Sequence, residues 1–207
     1  MLGTKHDQFS MDFGMPPAPR RRRPKQAITH MLYYAVLPER EEAMRAADTT
    51  LHLKRDLTLS GQLVPPKRMH VSLVPIGTFL RLPEDIVFAL KLIGAQTHLK
   101  SFRAEFNRYL TFKHGEKSSS LVVCCDEGNA ELKALYHDLS DAIEDMGWAL
   151  DVRKQFTPHM TQLRSSSFAP ETPLRDPLTW SVREFVLVHS VVGMGLHRYL
   201  DRWPLFD

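Results

Sequence analysis

The sequence predicts an α+β fold whose helices and strands fall into two sets, one over about residues 31–100 and the other over about 102–204. Three observations carry this. Apolar positions alternate with period 2 in some stretches and recur every three or four residues in others, the signatures of half-buried strands and amphipathic helices. Proline and glycine stand where the period changes. The chain has 207 residues, 43% of them apolar, which suits one domain or two small lobes sharing a core and excludes a chain disordered throughout.

An apolar run over 31–37 predicts the first strand. Pro38, with Glu39, Glu41 and Glu42 behind it, opens a helix to about Lys54, since proline is tolerated in a first turn and acids there complement the helix dipole. Residues 61–66 form a loop, and 69–76 a strand closed by Pro75 and Gly77. Ile86, Leu90 and Ile93 place one stripe on a helix over 83–100. Phe102, Ala104 and Phe106 alternate, so 102–113 is a strand, 114–120 a turn and 121–125 the next strand. Leu132, Leu135, Leu139 and Ile143 line a helix over 129–146 that Gly147 stops. A strand over 156–163, a loop over 164–177, one long strand over 179–192 and an edge strand over 199–204 complete the chain.

The net charge of +3 is a property of the first 26 residues. Lys5, Arg20, Arg21, Arg22, Arg23 and Lys25 stand there against Asp7 and Asp12, a balance of +4 that leaves −1 for the rest. Residues 1–26 read as a disordered basic arm, either a solvated leader or a weak RNA tether. The arm has no apolar stretch of the kind a secretory signal needs, and no apolar run reaches the length of a membrane span. Cys124 and Cys125 are adjacent on a strand and face opposite ways, so no bridge joins them. A reduced, cytoplasmic location is expected.

Two tetrapeptides bear on chemistry: His70-Val71-Ser72-Leu73 and His159-Met160-Thr161-Gln162. On a strand, a residue and its second neighbour share a face, so each presents an imidazole beside a hydroxyl. Two such strands facing one groove supply a general base, a general acid and donors for a phosphate between them, which suits metal-free phosphodiester hydrolysis. Composition does not single these out. Ten histidines and 25 Ser or Thr give roughly one His-x-Ser/Thr by chance, and context has to decide.

The stretch Gly61-Gln62-Leu63-Val64-Pro65-Pro66-Lys67-Arg68-Met69-His70-Val71-Ser72-Leu73-Val74-Pro75-Ile76-Gly77 resembles the first motif of the RNA 2′,3′-cyclic phosphodiesterase family, also called 2′-5′ RNA ligase, within the two-histidine (2H) phosphoesterase superfamily. Phe156-Thr157-Pro158-His159-Met160-Thr161-Gln162-Leu163-Arg164 resembles the second. The similarity spans about residues 30–205. It implies a two-lobed α+β 2H phosphoesterase fold for residues 27–207, one bilobal domain of two pseudo-symmetric halves whose antiparallel strands line a central groove. It also implies hydrolysis of a terminal 2′,3′-cyclic phosphate of RNA to a 2′-phosphomonoester, with reversible 2′-5′ joining of tRNA halves in vitro.

Carried over by position, His70 and His159 are the acid–base pair, Ser72 and Thr161 the phosphate-binding hydroxyls, and Arg164 a guanidinium able to fork onto phosphate oxygens. We take His70 to protonate the leaving ribose oxygen and His159 to activate water. Tyr33, Tyr34 and Phe156 are candidates for stacking an RNA base, although the two tyrosines face opposite sides of one strand and only one of them can reach the groove. Ser72 replaces the usual Thr, which frees its rotamer, and Gln162 occupies a commonly apolar position. No metal, no cofactor and no membrane is expected; the partner is RNA with cyclic phosphate ends, and the protein is expected to be a monomer. Three readings compete: a metal-dependent hydrolase, for which the histidine spacing gives no motif; a 2H phosphodiesterase for 2′-5′ oligonucleotides or small cyclic phosphates; and a non-catalytic RNA-end binder.

Overall fold

The computed structural model describes residues 28–114, 119–125, 128–147 and 156–206; the basic arm lies outside them. Among these residues the strands are β1 (His30–Val36), β2 (Gln62–Leu63), β3 (Val71–Phe79), β4 (Phe102–Lys113), β5 (Ser119–Cys124), β6 (His159–Arg164), β7 (Thr172–Val182), β8 (Glu184–Val191) and β9 (Leu196–Pro204). The helices are α1 (Arg40–Asp56), α2 (Glu84–Gln96) and α3 (Ala130–Asp145), with a 3-10 turn at Pro66–Arg68. One antiparallel sheet runs β7-β4-β5-β6-β3-β1-β8-β9, and β2 adds to β6. No described helix is long and apolar enough to cross a membrane.

The sheet has a seam at its centre. β3 and β6 join through a single paired position, Val71 with Met160, whereas β1 pairs with β8 over six. On either side of the seam stand four strands, β3-β1-β8-β9 and β6-β5-β4-β7. These halves are not the two consecutive sets read from the sequence. β8 and β9 return past the second set to pair with β1, so the β3-β1-β8-β9 half draws strands from both ends of the chain, whereas β4 to β7 are consecutive.

The three helices cover one face. α1 packs through small residues, Ala43, Ala46 and Thr50, spaced three and four apart, which lets it lie close to the sheet. α3 buries Leu132, Leu135, Leu139 and Ile143, the predicted stripe. α2 buries Val87, Leu90 and Ile93. These side chains join Leu32, Tyr34, Val71, Phe106, Met160 and Phe185 in one core. The opposite face carries a small apolar floor of Tyr33, Ala35, Val186 and Val188.

Three segments differ from expectation. The loop expected over 164–177 ends early, because β7 already begins at Thr172 and pairs with β4. The loop over 61–66 contains β2, whose Gln62 and Leu63 pair with Arg164 and Leu163. The single strand expected over 179–192 is the end of β7 and all of β8, with Arg183 alone between them. At Arg183 the chain passes from the outermost strand of one half to an inner strand of the other. Inward side chains change parity at that point, from Leu178, Trp180 and Val182 to Phe185 and Leu187.

Gln162, out of place by hydropathy, is fully buried in a polar chain beneath the second motif. Its Oε1 accepts from Thr50 Oγ1 at 3.1 Å, and its Nε2 donates to the Met160 carbonyl at 3.3 Å. Tyr109 lies 3.0 Å from the same threonine hydroxyl. Thr50 Oγ1 also lies 2.7 Å from the Ala46 carbonyl; its one proton is shared between that carbonyl and Gln162 Oε1, so Tyr109 is the donor in its contact with Thr50. Thr50→Val removes the middle of this chain and leaves two buried groups a partner short, so it lowers unfolding free energy by about 1–3 kcal/mol, measured by urea denaturation.

Candidate active site

The antiparallel pairing of Val71 with Met160 fixes what flanks it. One step either way sets His70 beside Thr161 and Ser72 beside His159. Val71 and Met160 point into the core, so the four flanking side chains share the face without helices, two imidazoles and two hydroxyls in diagonal pairs. The two motifs therefore meet at the seam.

Each imidazole is held the same way. His70 Nδ1 lies 2.8 Å from the Arg68 carbonyl, and His159 Nδ1 lies 2.8 Å from the Thr157 carbonyl. A carbonyl only accepts, so Nδ1 carries a proton in both rings. Nε2 is then the atom that takes or gives a proton. Each ring also has an aromatic neighbour: Tyr33 stacks on His70 with centroids 5.2 Å apart, and Phe112 meets His159 at 4.8 Å.

The surroundings of His70 are more crowded. His197 of β9 stands edge-on to it at 5.7 Å. Arg68 Nη2 is 3.2 Å from His197 Nε2, so the arginine donates and His197 is neutral. Burial, ahead of the Arg68 and Arg164 charges, lowers His197 to about 4. Burial also lowers His70 to about 4, assisted by His197, Arg164 and His159 and opposed by its bond to the Arg68 carbonyl. In the resting protein His70 is therefore a neutral acceptor at Nε2.

A cavity of about 250 Å³ lies over these groups, and Tyr33, Arg68, His70, Ser72, Thr161, Arg164 and His197 are among its walls. The turn between β8 and β9 closes one side. At Gly195, whose φ is +64°, a Cβ would come within 3.1 Å of Arg68 Nη1, so a side chain there displaces the arginine. No described Asp or Glu lines the cavity, and among the described residues neither Arg68 nor Arg164 forms an ion pair. Two uncompensated guanidinium groups beside two hydroxyls make a receptor for a small oxyanion. No described group of three or more His, Cys, Asp or Glu is arranged to hold a metal ion.

Of the residues expected at the site, His70, Ser72, Thr161 and Arg164 line this cavity, and His159 flanks Ser72 across the seam. Tyr33 is the tyrosine that reaches the groove. Tyr34 turns into the helix-covered core, fully buried, with its hydroxyl donating to the Leu90 carbonyl at 2.5 Å, and it cannot meet a base. Phe156 stacks on Tyr136 of α3 at 4.4 Å and does not line the cavity. Arg68 and His197 are additions. Arg68 stood in the first motif without a role; His197 shares its strand with no motif. His189, eight residues before His197, lies on the opposite face, bonded to His30 at 2.7 Å.

The sequence matches the family model of the 2′-5′ RNA ligase superfamily over residues 38–194. The fold is similar to that of E. coli LigT in a crystal structure with 3′-AMP, at a TM-score of 0.70 and 20% identity, over 86% of this chain and 99% of that one. It is also similar to TT0787 of Thermus thermophilus, at a TM-score of 0.68 and 22% identity, over 84% of this chain and 97% of that one. No curated protein matches the sequence. The family match covers most of the chain and includes both motifs at the seam, and the chain belongs to the 2′-5′ RNA ligase superfamily.

Proposed function

We propose that the protein hydrolyses the terminal 2′,3′-cyclic phosphate of RNA to a 2′-phosphomonoester without a metal ion, and that the same groove carries out reversible 2′-5′ RNA ligation. The observation that carries this is the pair of Nδ1-anchored imidazoles flanking a cavity with two arginines and no described carboxylate. The phosphate binds to Arg68, Arg164, Ser72 and Thr161, between the histidines. Water gives a proton to one Nε2 as its oxygen bonds to phosphorus; the P–O3′ bond breaks, and O3′ takes a proton from the other Nε2. LigT is described with bound 3′-AMP, a ribonucleotide with its phosphate on the same ribose edge, which supports this substrate class.

The burial of His70 favours one order for the two histidines, since a base must be neutral before it can take a proton. We therefore assign His70, neutral down to about pH 4, to take the proton from water and His159 to protonate O3′, an order different from the one expected from sequence. The deciding experiment incubates the protein, with EDTA, with an RNA ending in 2′,3′-cyclic phosphate and with a 2′-5′ linked dinucleotide. A 2′-phosphate product at an undiminished rate in EDTA is expected. Cleavage of the dinucleotide alone assigns the site to 2′-5′ oligonucleotides, tight binding without turnover assigns it to an end binder, and loss in EDTA overturns the metal-free mechanism.

A further inference from the structure

A second cleft, of about 610 Å³, adjoins the first. Leu37, Met44, Pro65, Pro66, Met69 and Tyr199 line it, and Arg40 and Lys67 stand exposed at its rim. The wall between the clefts is the 3-10 turn Pro66–Arg68, which gives Lys67 and Met69 to this side and Arg68 and His70 to the catalytic side. Three residues of such a turn rise about 6 Å, a distance one nucleotide can bridge.

Its chemistry differs from that of the catalytic groove. The walls are apolar and aromatic, and two large side chains are left in water, Met44 at 54% and Tyr199 at 39% exposure. Tyr199 is not loose: the Arg202 guanidinium lies over its ring at 4.7 Å, and Arg202 is itself bonded to Glu184. Three prolines, Pro38, Pro65 and Pro66, fix the backbone around the cleft, so little order is lost on binding. No described Asp or Glu lines it, and among the described residues Arg40 and Lys67 form no ion pair.

We propose that this cleft seats the nucleobase of the residue immediately upstream of the cyclic phosphate, with Lys67 and Arg40 on the phosphodiester that joins the two nucleosides. This rests on the hydrolytic reading of the neighbouring groove. A terminal 2′,3′-cyclic phosphate occupies the 3′ end, so the rest of the RNA can only leave upstream, and the charged rim lies between an anion site and an apolar slot. Stacking on tyrosine and sliding against Met and Pro accept any base, which suits an enzyme that acts on ends. The chain's own arm is a poor occupant, because Arg20 to Arg23 would meet Arg40 and Lys67 with like charge.

The test compares kcat/KM for uridine 2′,3′-cyclic phosphate and for the dinucleotide ApU ending in the same group. The wild type prefers the dinucleotide by roughly tenfold or more. The double variant R40A/K67A, and separately Met44→Glu, abolish that preference and leave the mononucleotide rate unchanged. The salt dependence of dinucleotide binding, plotted as log K against log salt, becomes shallower by about 0.7 for each cation removed. Met44 oxidises freely with peroxide in the free protein and is protected by the dinucleotide product. Equal rates on both substrates in the wild type, equal losses on both in the variants, or a Met44 protected without RNA by the arm or a second copy would each overturn the proposal. Turnover of neither cyclic phosphate overturns the hydrolytic reading beneath it.

Discussion

Alanine at His70 or at His159 lowers kcat on an RNA end bearing 2′,3′-cyclic phosphate by roughly 10²–10⁴-fold, the usual worth of a positioned acid or base. KM changes little, because in the proposed mechanism the phosphate is held by Arg68, Arg164 and the two hydroxyls that line the cavity. The double variant is barely worse than either single one, since once one proton transfer fails the other has nothing to assist. Neither substitution unfolds the protein: both rings lie on the open face, away from the helix-covered core, where each is anchored by a bond to a carbonyl. Steady-state kinetics with far-UV circular dichroism as the folding control checks this. Wild-type turnover by either variant would remove the acid–base pair from the mechanism.

The second large effect separates the partners. A substrate carrying sulfur in place of the bridging 3′ oxygen has a leaving group stable as a thiolate, which needs no proton. It restores His159→Ala by about 10²-fold and leaves His70→Ala inactive. The opposite pattern would make His70 the acid. The pH dependence has the same origin. Lowering the His70 pKa to about 4 keeps the base form present as pH falls through the usual histidine range. The acid limb of kcat/KM, which reports free enzyme, therefore lies near pH 4 rather than near 6.5. Bound phosphate favours the imidazolium, so the acid limb of kcat lies higher. Rates over pH 4–8 test the order of the limbs, and coincident limbs near 6.5 would contradict a buried, neutral His70.

The floor of the site was legible in the sequence because strand parity is local. His70 with Ser72, and His159 with Thr161, share a face wherever strands form around them, and Arg164 follows at the end of the second strand. What brings the two motifs together is a single non-local pairing, Val71 with Met160, which no periodicity encodes. Parity also showed that Tyr33 and Tyr34 part company but not which one faces the groove, since that depends on where the helices pack. Arg68 escaped because it belongs to a 3-10 turn, where alternation does not apply. His197 escaped because it arrives from β9, far along the chain and outside both motifs. The hidden break at Arg183 has a similar cause: Phe185, Val186, Leu187 and Val188 are all buried, so the shift of inward positions from even to odd is masked by an unbroken apolar run.

The return of β8 and β9 to the first half has a consequence for biosynthesis. β1 is the first strand of the sheet to emerge from the ribosome, yet one of its neighbours is β8, and the bond from His30 to His189 closes 159 residues of chain. Pairings of such long range slow folding. Until they form, β1 presents an unpaired edge open to association with other chains. A nascent chain that already contains both motif histidines still lacks His197, the Gly195 turn over Arg68 and the apolar floor from Val186 and Val188. The site is completed by strands translated after every residue that does chemistry in it, so partial chains carry the motifs without the groove.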